Sequence, residues 1–465
     1  MRNLSLDGLN KAGDGVKAEA GSSYVHHILI EGLNFKNFNP NLERVGISTK
    51  CPAWNWVIRR NTITSTGTGM YLGNSTGEFE FVNGLIEYNL VYNTLGYNIQ
   101  IKHQLSRTTS VGVPASGTTI IRHNTFSKET GSLSGSSARP NLLVGHWPLS
   151  GPGSSDIYQI YGNLFYQNPY EVLFQGEGNI ALHDNLFVHR AGTAVRIQPH
   201  NDVPRRIEIF NNTVVASGTG IYITGADPAY PQRIVGNAVF AATPLSGGQQ
   251  SNNVTGSYAA ASTYLNNPTA ALGSGLDLYP KTGQLQGTAI DYSVFSGLLE
   301  WDRDFNYRSR VATYRGAYSG DGVNPGWTPA LAIKPEPSTG NPTGSCNSIS
   351  DVEPNNSMTA PQVISGTCNQ ISGIFLNDSS TQQHDYFRLS LPAGKRVTAL
   401  LNGLTVDYDL EIYDAAGNWV GSSYNGGTTP DQASWTNTGT SAVNVYILVY
   451  RASSTRTTYQ LKVSY

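Results

Sequence analysis

A six-residue pattern, apolar-x-x-Asn-x-apolar, recurs along the first half of the chain and constrains its fold more than any other feature. It occurs in seven segments, IRRNTI, IEYNLV, IRHNTF, IYGNLF, LHDNLF, IFNNTV and IVGNAV. The Asn residue falls at positions 61, 89, 124, 163, 185, 212 and 237, so the gaps are 28, 35, 39, 22, 27 and 25 residues. An earlier copy, IEGLNF, carries Leu33 in the Asn position. Repeats with periods of 20 to 50 residues indicate a solenoid, a propeller or a similar array.

Most copies are followed by a second run, as in GMYLGN (69–74), NIQIKH (98–103) and AVRIQPH (194–200). These runs alternate apolar and variable residues, which is the periodicity of a β-strand. Short strands with an Asn at one turn resemble the right-handed parallel β-helix family. The resemblance implies that the Asn side chains stack and hydrogen-bond between successive turns. We therefore predict an all-β chain whose residues 1–333 form a right-handed parallel β-helix.

Residues 288–327 contain EWDRDFNYRSRVATYRGAYSG, which is similar to the closing segment of many secreted β-helix proteins. The resemblance implies that this segment ends the solenoid and is structural. The matching positions are Asp302, Asp304, Arg308 or Arg310, and Gly316, Ala317 and Tyr318.

Residues 334–350 are rich in Pro, Gly, Ser and Thr, a composition that indicates an extended linker. Residues 351–465 contain DVEPNNS (351–357), HDYFRLSLPAG (384–394) and VDYDLEIYDAAGN (406–418). These segments resemble the bacterial pre-peptidase C-terminal domain, a small β-sandwich appended to secreted enzymes. The resemblance implies a secreted, extracellular protein and, in some members, attachment to a substrate.

Asp407, Asp409 and Asp414 of this module could hold Ca²⁺, which prefers hard oxygen ligands. We favour the alternative that two of them are turn residues and Asp409 faces solvent, so Ca²⁺ stays an open option and no other cofactor is indicated. Cys346 and Cys368 flank the first strand of the module, and a disulfide between them is plausible in an exported protein. We expect Cys51 to be a buried, inert thiol.

Charge excludes two classes of partner. The chain has 30 Lys+Arg and 32 Asp+Glu, and only 13% of its residues are charged, against a usual quarter. A basic footprint for nucleic acid or anionic membrane is therefore absent. No apolar run reaches the roughly 20 residues of a membrane span, and no obligate protein partner is evident. The first residues lack the apolar core of a signal peptide, so we expect a trimmed fragment.

The long gaps between repeats locate three insertions, at residues 103–117, 127–141 and 146–156. Loops on a rigid scaffold commonly carry function. The insertions contribute Arg107, Lys128, Arg139, Trp147 and Asp156. Alignment of the second runs gives an outward column of Gly73, Lys102, Gly145, Gln175, Gln198 and Thr224, and a neighbouring set of Asn74, His103, His146, Glu177, His200 and Asp202. The outward residues within the strands are Tyr71, Gln100, Leu143, Leu173, Arg196 and Tyr222.

This surface predicts a cationic, His-rich groove with an aromatic wall, although an ordinary solvated face would also carry long polar side chains. Secreted β-helix proteins with such a groove often resemble polysaccharide lyases. Elimination needs a base and a cation near a uronate carboxylate. Lys102 is a candidate base, because Arg107 or Arg139 nearby would lower its pKa, and His103 or His146 could assist or replace it. Arg139 or Arg196 would grip the carboxylate. The predicted catalytic residues are Lys102, His103, Arg139 and His146, and the predicted substrate-binding residues are Asn74, Gln100, Arg107, Trp147, Gln175, Glu177, Arg196, Gln198, His200 and Asp202.

Two other functions stay open. Glu177 and Asp202 lie on adjacent predicted coils, compatible with the roughly 6.5–9.5 Å carboxyl separation of inverting glycoside hydrolases. A non-catalytic glycan-binding or adhesion protein would use Tyr71, Tyr222 and Trp147 as stacking platforms. In all three cases the partner is an extracellular polysaccharide, and we expect an acidic one.

Overall fold

The computed structural model describes residues 1–19, 24–337, 346–374, 384–437, 439, 441–451 and 457–465. The chain divides into two compact units, Met1–Pro337 and Ser338–Tyr465. Part of the predicted linker, residues 338–345, lies outside the described residues. Lys334, where the sequence places the start of that linker, is instead buried within the first unit.

The first unit is a parallel β-helix with three strand-bearing faces. The first face is a nine-stranded parallel sheet of Leu29–Glu31, Val57–Arg59, Leu85–Glu87, Thr118–Arg122, Ile157–Tyr161, Ile180–His183, Ile207–Phe210, Gln232–Val235 and Gln249–Ser251. The second face follows the Asn turn and contains Ser5–Asp7, Asn34–Lys36, Thr62–Thr64, Leu90–Tyr92, Thr125–Ser127, Leu164–Tyr166, Leu186–His189, Thr213–Ile223, Ala238–Ser246 and Val254–Gly256.

The third face contains the predicted second runs. Its strands are Val16–Glu19, Val45–Lys50, Thr68–Leu72, Ile99–Ile101, Leu142–Val144, Phe174–Gly176 and Val195–Ile197. It continues into the long strands Thr213–Ile223 and Ala238–Ser246, which join the second and third faces into one sheet. A short sheet of Val25–His26, Ala53–Trp54 and Phe81–Val82 precedes the first face. Apolar side chains from all three faces fill the central core.

The Asn residues form the expected ladder inside the turn between the first and second faces. The Oδ1 atom of Asn163 accepts the backbone N–H and the Nδ2–H of Asn124, at 2.9 and 3.0 Å. Asn163 makes the same two bonds to Asn185, both at 3.0 Å. The residue before each Asn has a positive φ, for example 56° at His123 and 53° at Asp184. The ladder thus satisfies polar backbone groups that a sharp turn leaves without sheet partners.

The predicted closing segment covers the side of the solenoid as well as its end. Asp304 organises it, because its carboxylate accepts the N–H groups of Asn306, Arg308 and Ser319 at 2.8–2.9 Å. Arg310 forms a buried ion pair with Asp184. Its apolar residues pack on the outside of the first and second faces. The third face is left to carry the insertions.

Short helical and hairpin elements link the solenoid to this segment. They are the 3₁₀ turn Tyr258–Ala260, the α-helix Ala261–Tyr264, and the hairpin strands Leu265–Asn267 and Asp277–Pro280. Two other 3₁₀ turns lie elsewhere, Gly135–Ser137 in the second insertion and Ser293–Phe295 within the closing segment itself. No helix in the described part of the chain is long and apolar enough to cross a membrane.

The second unit consists of two five-stranded, mainly antiparallel sheets. One contains Asn347–Ser350, Cys368–Ile374, Thr458–Ser464, Arg396–Asn402 and Asp431–Thr436. The other contains Gln362–Val363, His384–Leu391, Val443–Arg451, Tyr408–Tyr413 and Trp419–Ser423. Alternate residues of both sheets meet in one apolar core, as the sandwich prediction requires. The predicted disulfide joins Cys346 to Cys368, and Cys51 is buried in the first unit with its pKa raised by burial.

Candidate active site on the third face

Strand pairing fixes the columns of the third face and corrects one part of the sequence alignment. Gln100, Leu143, Gln175, Arg196 and Tyr222 are partners on successive coils. Gln175 therefore lies within the strand column, and Leu173, which the alignment placed there, is fully buried. The alignment was shifted by two residues at this coil, and a two-residue shift preserves the strand alternation that guided it.

The corrected register puts Glu177 in the same column as Lys102. Lys102, Gly145, Glu177 and Gln198 each donate their backbone N–H to the last strand residue of the coil before, at 2.9–3.3 Å. Lys102 and Glu177 are thus separated by one coil, and that coil carries a glycine. His103 and His146 occupy the next position on adjacent coils.

Glycines flank Lys102 on both neighbouring coils. A Cβ atom on Gly73 would lie 3.3 Å from the Cβ atom of Lys102, and one on Gly145 would lie 2.5 Å from its carbonyl carbon. A side chain at position 73 would crowd the lysine stem, and one at position 145 would clash with the backbone of residues 102 and 103. The two glycines therefore allow the neighbouring coils to pack closely against Lys102. The ammonium of Lys102 forms no ion pair with any described residue.

Burial lowers the pKa of Lys102, and the Glu177 carboxylate partly opposes this shift. Burial also lowers the pKa of His103, with a further contribution from the Lys102 charge. The cations Arg107 and Arg139, which we expected to lower the lysine pKa, are not its cause. The His103 ring lies against Gly77, and its Nδ1 atom has no hydrogen-bond partner among the described residues. Burial therefore disfavours the charged form of each group.

Glu177 and His146 shape the floor of the groove. The Oε2 atom of Glu177 accepts the backbone N–H groups of His200, Asn201 and Asp202, at 3.0, 2.8 and 3.2 Å. His146 is buried, its pKa is lowered by burial, and its Nε2 atom lies 3.2 Å from the carbonyl oxygen of Val203. These two side chains hold the loop at residues 200–203 in place. Leu143, Gln175, Glu177, Gln198 and His200 line a shallow depression beside it.

Two predicted substrate-binding residues are buried away from the groove. Arg107 forms a two-pronged ion pair with Asp156, at 2.7 and 3.1 Å, that ties the first insertion to the third. The Trp147 ring is fully buried and stacks on Tyr158 with ring centroids 4.3 Å apart. Neither side chain can contact a ligand in the groove, so the predicted aromatic wall at Trp147 is wrong. An insertion loop still needs its own core, and these two residues provide it.

Arg139 and Arg196 each contact a residue that the sequence did not single out, Tyr97 and Glu171 respectively. Arg196 pairs with Glu171 at 3.2 Å, and Arg139 lies over the Tyr97 ring at 5.9 Å. The guanidinium of Arg139 donates to carbonyl oxygens of its own loop. Lys128 is fully buried and donates to the Arg139 carbonyl oxygen at 2.6 Å, and burial lowers its pKa to about 7.

Tyr97 and Glu171 each lie just before a third-face strand, one coil before Arg139 and Arg196 respectively. This spacing of one coil was the sequence signal that could have identified them. The remaining predicted residues have local roles or line the groove. Asn74 closes its own turn by accepting the N–H of Phe79 at 3.1 Å, and Gln100 is largely buried. Asp202 accepts the N–H of the next residue, Val203, at 2.8 Å.

The residues best arranged to hold a metal lie in the second unit, outside the aspartates considered from the sequence. Asp414 accepts two N–H groups of its own turn, at Ala416 and Asn418. Carboxylate oxygens of Asp351, Glu353 and Asp385 lie within 4.8 Å of one another. Asn355 is fully buried beside them and donates its Nδ2–H to Asp351 at 2.8 Å, and its Oδ1 atom has no partner in the described chain. This all-oxygen set fits Ca²⁺.

Comparison with known proteins agrees with the fold of the first unit. A family model described as a right-handed beta helix region matches residues 45–237. Together with the long parallel sheets, this match defines the first unit as a right-handed parallel β-helix. Among solved structures, the pre-peptidase C-terminal domain of collagenase from Bacillus anthracis is similar at 16% identity, over 22% of this chain and 94% of that chain, with a TM-score of 0.19. No curated protein matches the chain.

Proposed function

We propose that this protein is a secreted polysaccharide lyase that cleaves an acidic, uronate-containing polysaccharide by β-elimination on the third face. The observation that carries the proposal is Lys102, which forms no ion pair among the described residues, has a pKa lowered by burial, and lies on the third face between Gly73 and Gly145 of the neighbouring coils. A lowered pKa brings an amine closer to the range in which it can remove a proton from carbon. The disulfide between Cys346 and Cys368 supports export, because such bonds persist in oxidising compartments.

In this reaction the amine of Lys102 takes the C5 proton of the uronate. The C–H electron pair forms the C4=C5 double bond, and the C4–O4 bond breaks. The new ammonium returns the proton to O4, so no further reactant is needed. His103, next in sequence, can share that proton, and Arg196 can bind a carboxylate of the chain by exchange with Glu171.

The geometry disfavours the hydrolase alternative. An inverting hydrolase would need Glu177 or Asp202 to protonate a glycosidic oxygen. Glu177 instead accepts three backbone N–H groups on one oxygen, and these bonds hold the loop that contains Asp202. Protonation of Glu177 would weaken these bonds.

The test is incubation with a panel of uronate polymers while the ultraviolet absorbance of the unsaturated product and the formation of reducing ends are followed. We expect both signals from the native chain, and a fall of ~10²–10⁴ in turnover for Lys102→Met, the range for loss of a general base. Lys11→Met, at an exposed lysine, is the matched control and should retain full activity. Reducing ends without unsaturated product would indicate hydrolysis, and polymer binding without either signal would indicate an adhesion protein; both would refute the lyase.

A further inference from the structure

Two adjacent histidines near the start of the first unit have their ring nitrogens directly opposed. The Nδ1 atoms of His26 and His27 are 2.7 Å apart, and both side chains are exposed. Adjacent residues of a regular strand point to opposite sides. His27 has a φ of 54°, and this left-handed conformation at the end of strand Val25–His26 brings both rings to the same side. The pair is thus fixed by the backbone.

Two further contacts orient the rings. The His26 ring stacks on Trp54, with centroids 4.5 Å apart and an angle of 22° between the planes, and Trp54 is itself buried. The Nε2 atom of His27 lies 3.0 Å from Nδ2 of Asn55, whose Oδ1 accepts from Nδ2 of Asn83 at 2.6 Å. His27, Asn55 and Asn83 occupy the same corner of three successive coils, with φ of 54–57°.

The amide chain determines where the protons lie. Asn55 uses its oxygen for Asn83, so its Nδ2–H group faces His27, and Nε2 of His27 must accept. Neutral His27 therefore carries its proton on Nδ1 and donates it to Nδ1 of His26. One proton lies between the two Nδ1 atoms, and once it leaves, each atom presents a lone pair on the same side of the chain.

We propose that His26 and His27 form a chelating site for a divalent transition metal of the Zn²⁺, Cu²⁺ and Ni²⁺ class, with Asn55 as a positioning residue. Imidazole nitrogen suits these ions. Two Zn–N bonds of about 2.0–2.1 Å would hold the nitrogens about 2.9–3.4 Å apart. The exposed rings need to open by less than about 1 Å from their hydrogen-bonded separation.

Metal binding displaces the shared proton to Nε2 of His27 or to solvent. When Nε2 is protonated, rotation of the Asn55 amide presents Oδ1 as the acceptor, and the Asn83 amide rotates with it so that its own Oδ1 accepts from Nδ2 of Asn55. A metal-bound histidine commonly donates its second N–H to such an oxygen, and loss of that partner weakens binding by roughly 10–100-fold. The remaining coordination positions face solvent and are open to water or a ligand.

The test is titration of the untagged, full-length chain with Zn²⁺ by equilibrium dialysis and with Cu²⁺ by quenching of tryptophan fluorescence. We expect one saturable site, at least tenfold weaker in His26→Ala and in His27→Ala, and unchanged in His200→Ala, at an exposed histidine on the third face. Trp54→Phe should keep the stoichiometry and lose most of the saturable quenching.

The Asn55 variants separate positioning from mere structural support. Asn55→Ala should bind about tenfold or more weakly, whereas Asn55→Asp should bind more tightly than the native chain because its carboxylate is always an acceptor for Nε2–H. Equal affinity of the native chain and the doubly substituted His26→Ala/His27→Ala chain would overturn the site. Equal affinities of the native chain, Asn55→Ala and Asn55→Asp would overturn the role of Asn55.

Discussion

Replacement of Asn163 by Asp should make the stability of the β-helix depend on pH in a direction opposite to ordinary acid denaturation. In the native chain the Nδ2 atom of Asn163 donates to three oxygens, on Ile121, Tyr161 and Asn185, at 2.9, 3.0 and 3.0 Å. An ionised carboxylate at this fully buried position would face three acceptors. The folded state therefore raises the pKa of the new Asp far above its ordinary value of about 3.9.

The size of the effect follows from linkage. A carboxyl whose pKa is raised in the folded state costs no ionisation energy below its unfolded pKa, and stability is lost as the pH rises towards the folded pKa. Each pH unit above about 3.9 then costs about 1.4 kcal/mol. If the folded pKa exceeds 7, the loss between pH 4 and pH 7 is about 4 kcal/mol. The protonated form keeps one donor, so about 2 kcal/mol from two lost hydrogen bonds remains at pH 4.

Urea denaturation followed by tryptophan fluorescence at pH 4, 5, 6 and 7 measures this difference against the native chain. Five of the seven tryptophans lie in the first unit, at positions 54, 56, 147, 301 and 327, so the signal reports mainly on the β-helix. Asn252→Asp is the control, because Asn252 is exposed next to the last rung of the ladder. A pH profile of Asn163→Asp parallel to that of Asn252→Asp would refute the assigned direction of the ladder's hydrogen bonds.

Three further predictions follow from buried charges. Asp156→Asn should lower the free energy of unfolding by about 3–5 kcal/mol, because it leaves Arg107 buried without its partner, and Glu19→Gln at an exposed ion pair should have no measurable effect in the same urea assay. Burial lowers the pKa of both Lys128 and Lys334 to about 7. Above pH 7 the unfolded chain therefore binds more protons than the folded chain, so the free energy of unfolding should rise between pH 7 and 9, and Lys128→Met should reduce that slope by about half. A slope unchanged by the substitution would contradict the assignment. Ca²⁺ at a hundred times its Kd should stabilise the second unit by about 2.7 kcal/mol, measured as a chelator-reversible rise in Tm, and Glu353→Gln should remove this rise.

The repeated Asn residues made the β-helix predictable from the sequence. Each ladder Asn bonds the next, so every rung needs the same residue, and seven of the rungs are visible as a pattern. An eighth rung, Asn253, accepts the N–H of Asn237 at 2.9 Å but was missed, because Gln250 and Thr255 stand where the pattern requires apolar residues. The disulfide was predicted from the two cysteines that flank the first strand of the second unit, and the sandwich from the resemblance of residues 351–465 to the pre-peptidase C-terminal domain.

The candidate site was only partly predictable, because the outward residues of the third face differ in type from one coil to the next. Strand alternation is preserved by a two-residue shift, so periodicity alone could not separate Gln175 from Glu177. Arg107 and Trp147 were assigned to the groove because charged and aromatic residues in long loops suggest ligand contact. The loops at residues 103–117 and 146–156 fold onto each other. Arg107 pairs with Asp156, 49 positions away in sequence, and Trp147 stacks on Tyr158, 11 positions away.

The Asn ladder inside the turn and the outward column of the third face are therefore constrained by folding to different degrees. Inside the turn, replacing one ladder Asn removes hydrogen bonds to the Asn residues of both neighbouring coils. Stable folding alone therefore requires Asn at every position of the ladder. On the third face, Lys102, Gly145 and Glu177 are stacked in one column and share only their backbone bonds, so folding does not require them to be alike. Folding does require Gly145, since a Cβ there would lie 2.2 Å from the His103 nitrogen, whereas no ion pair among the described residues requires a lysine at position 102. Burial disfavours the charge of Lys102, which has no ion pair among the described residues, and the proposed catalytic role gives a reason for its presence that packing does not.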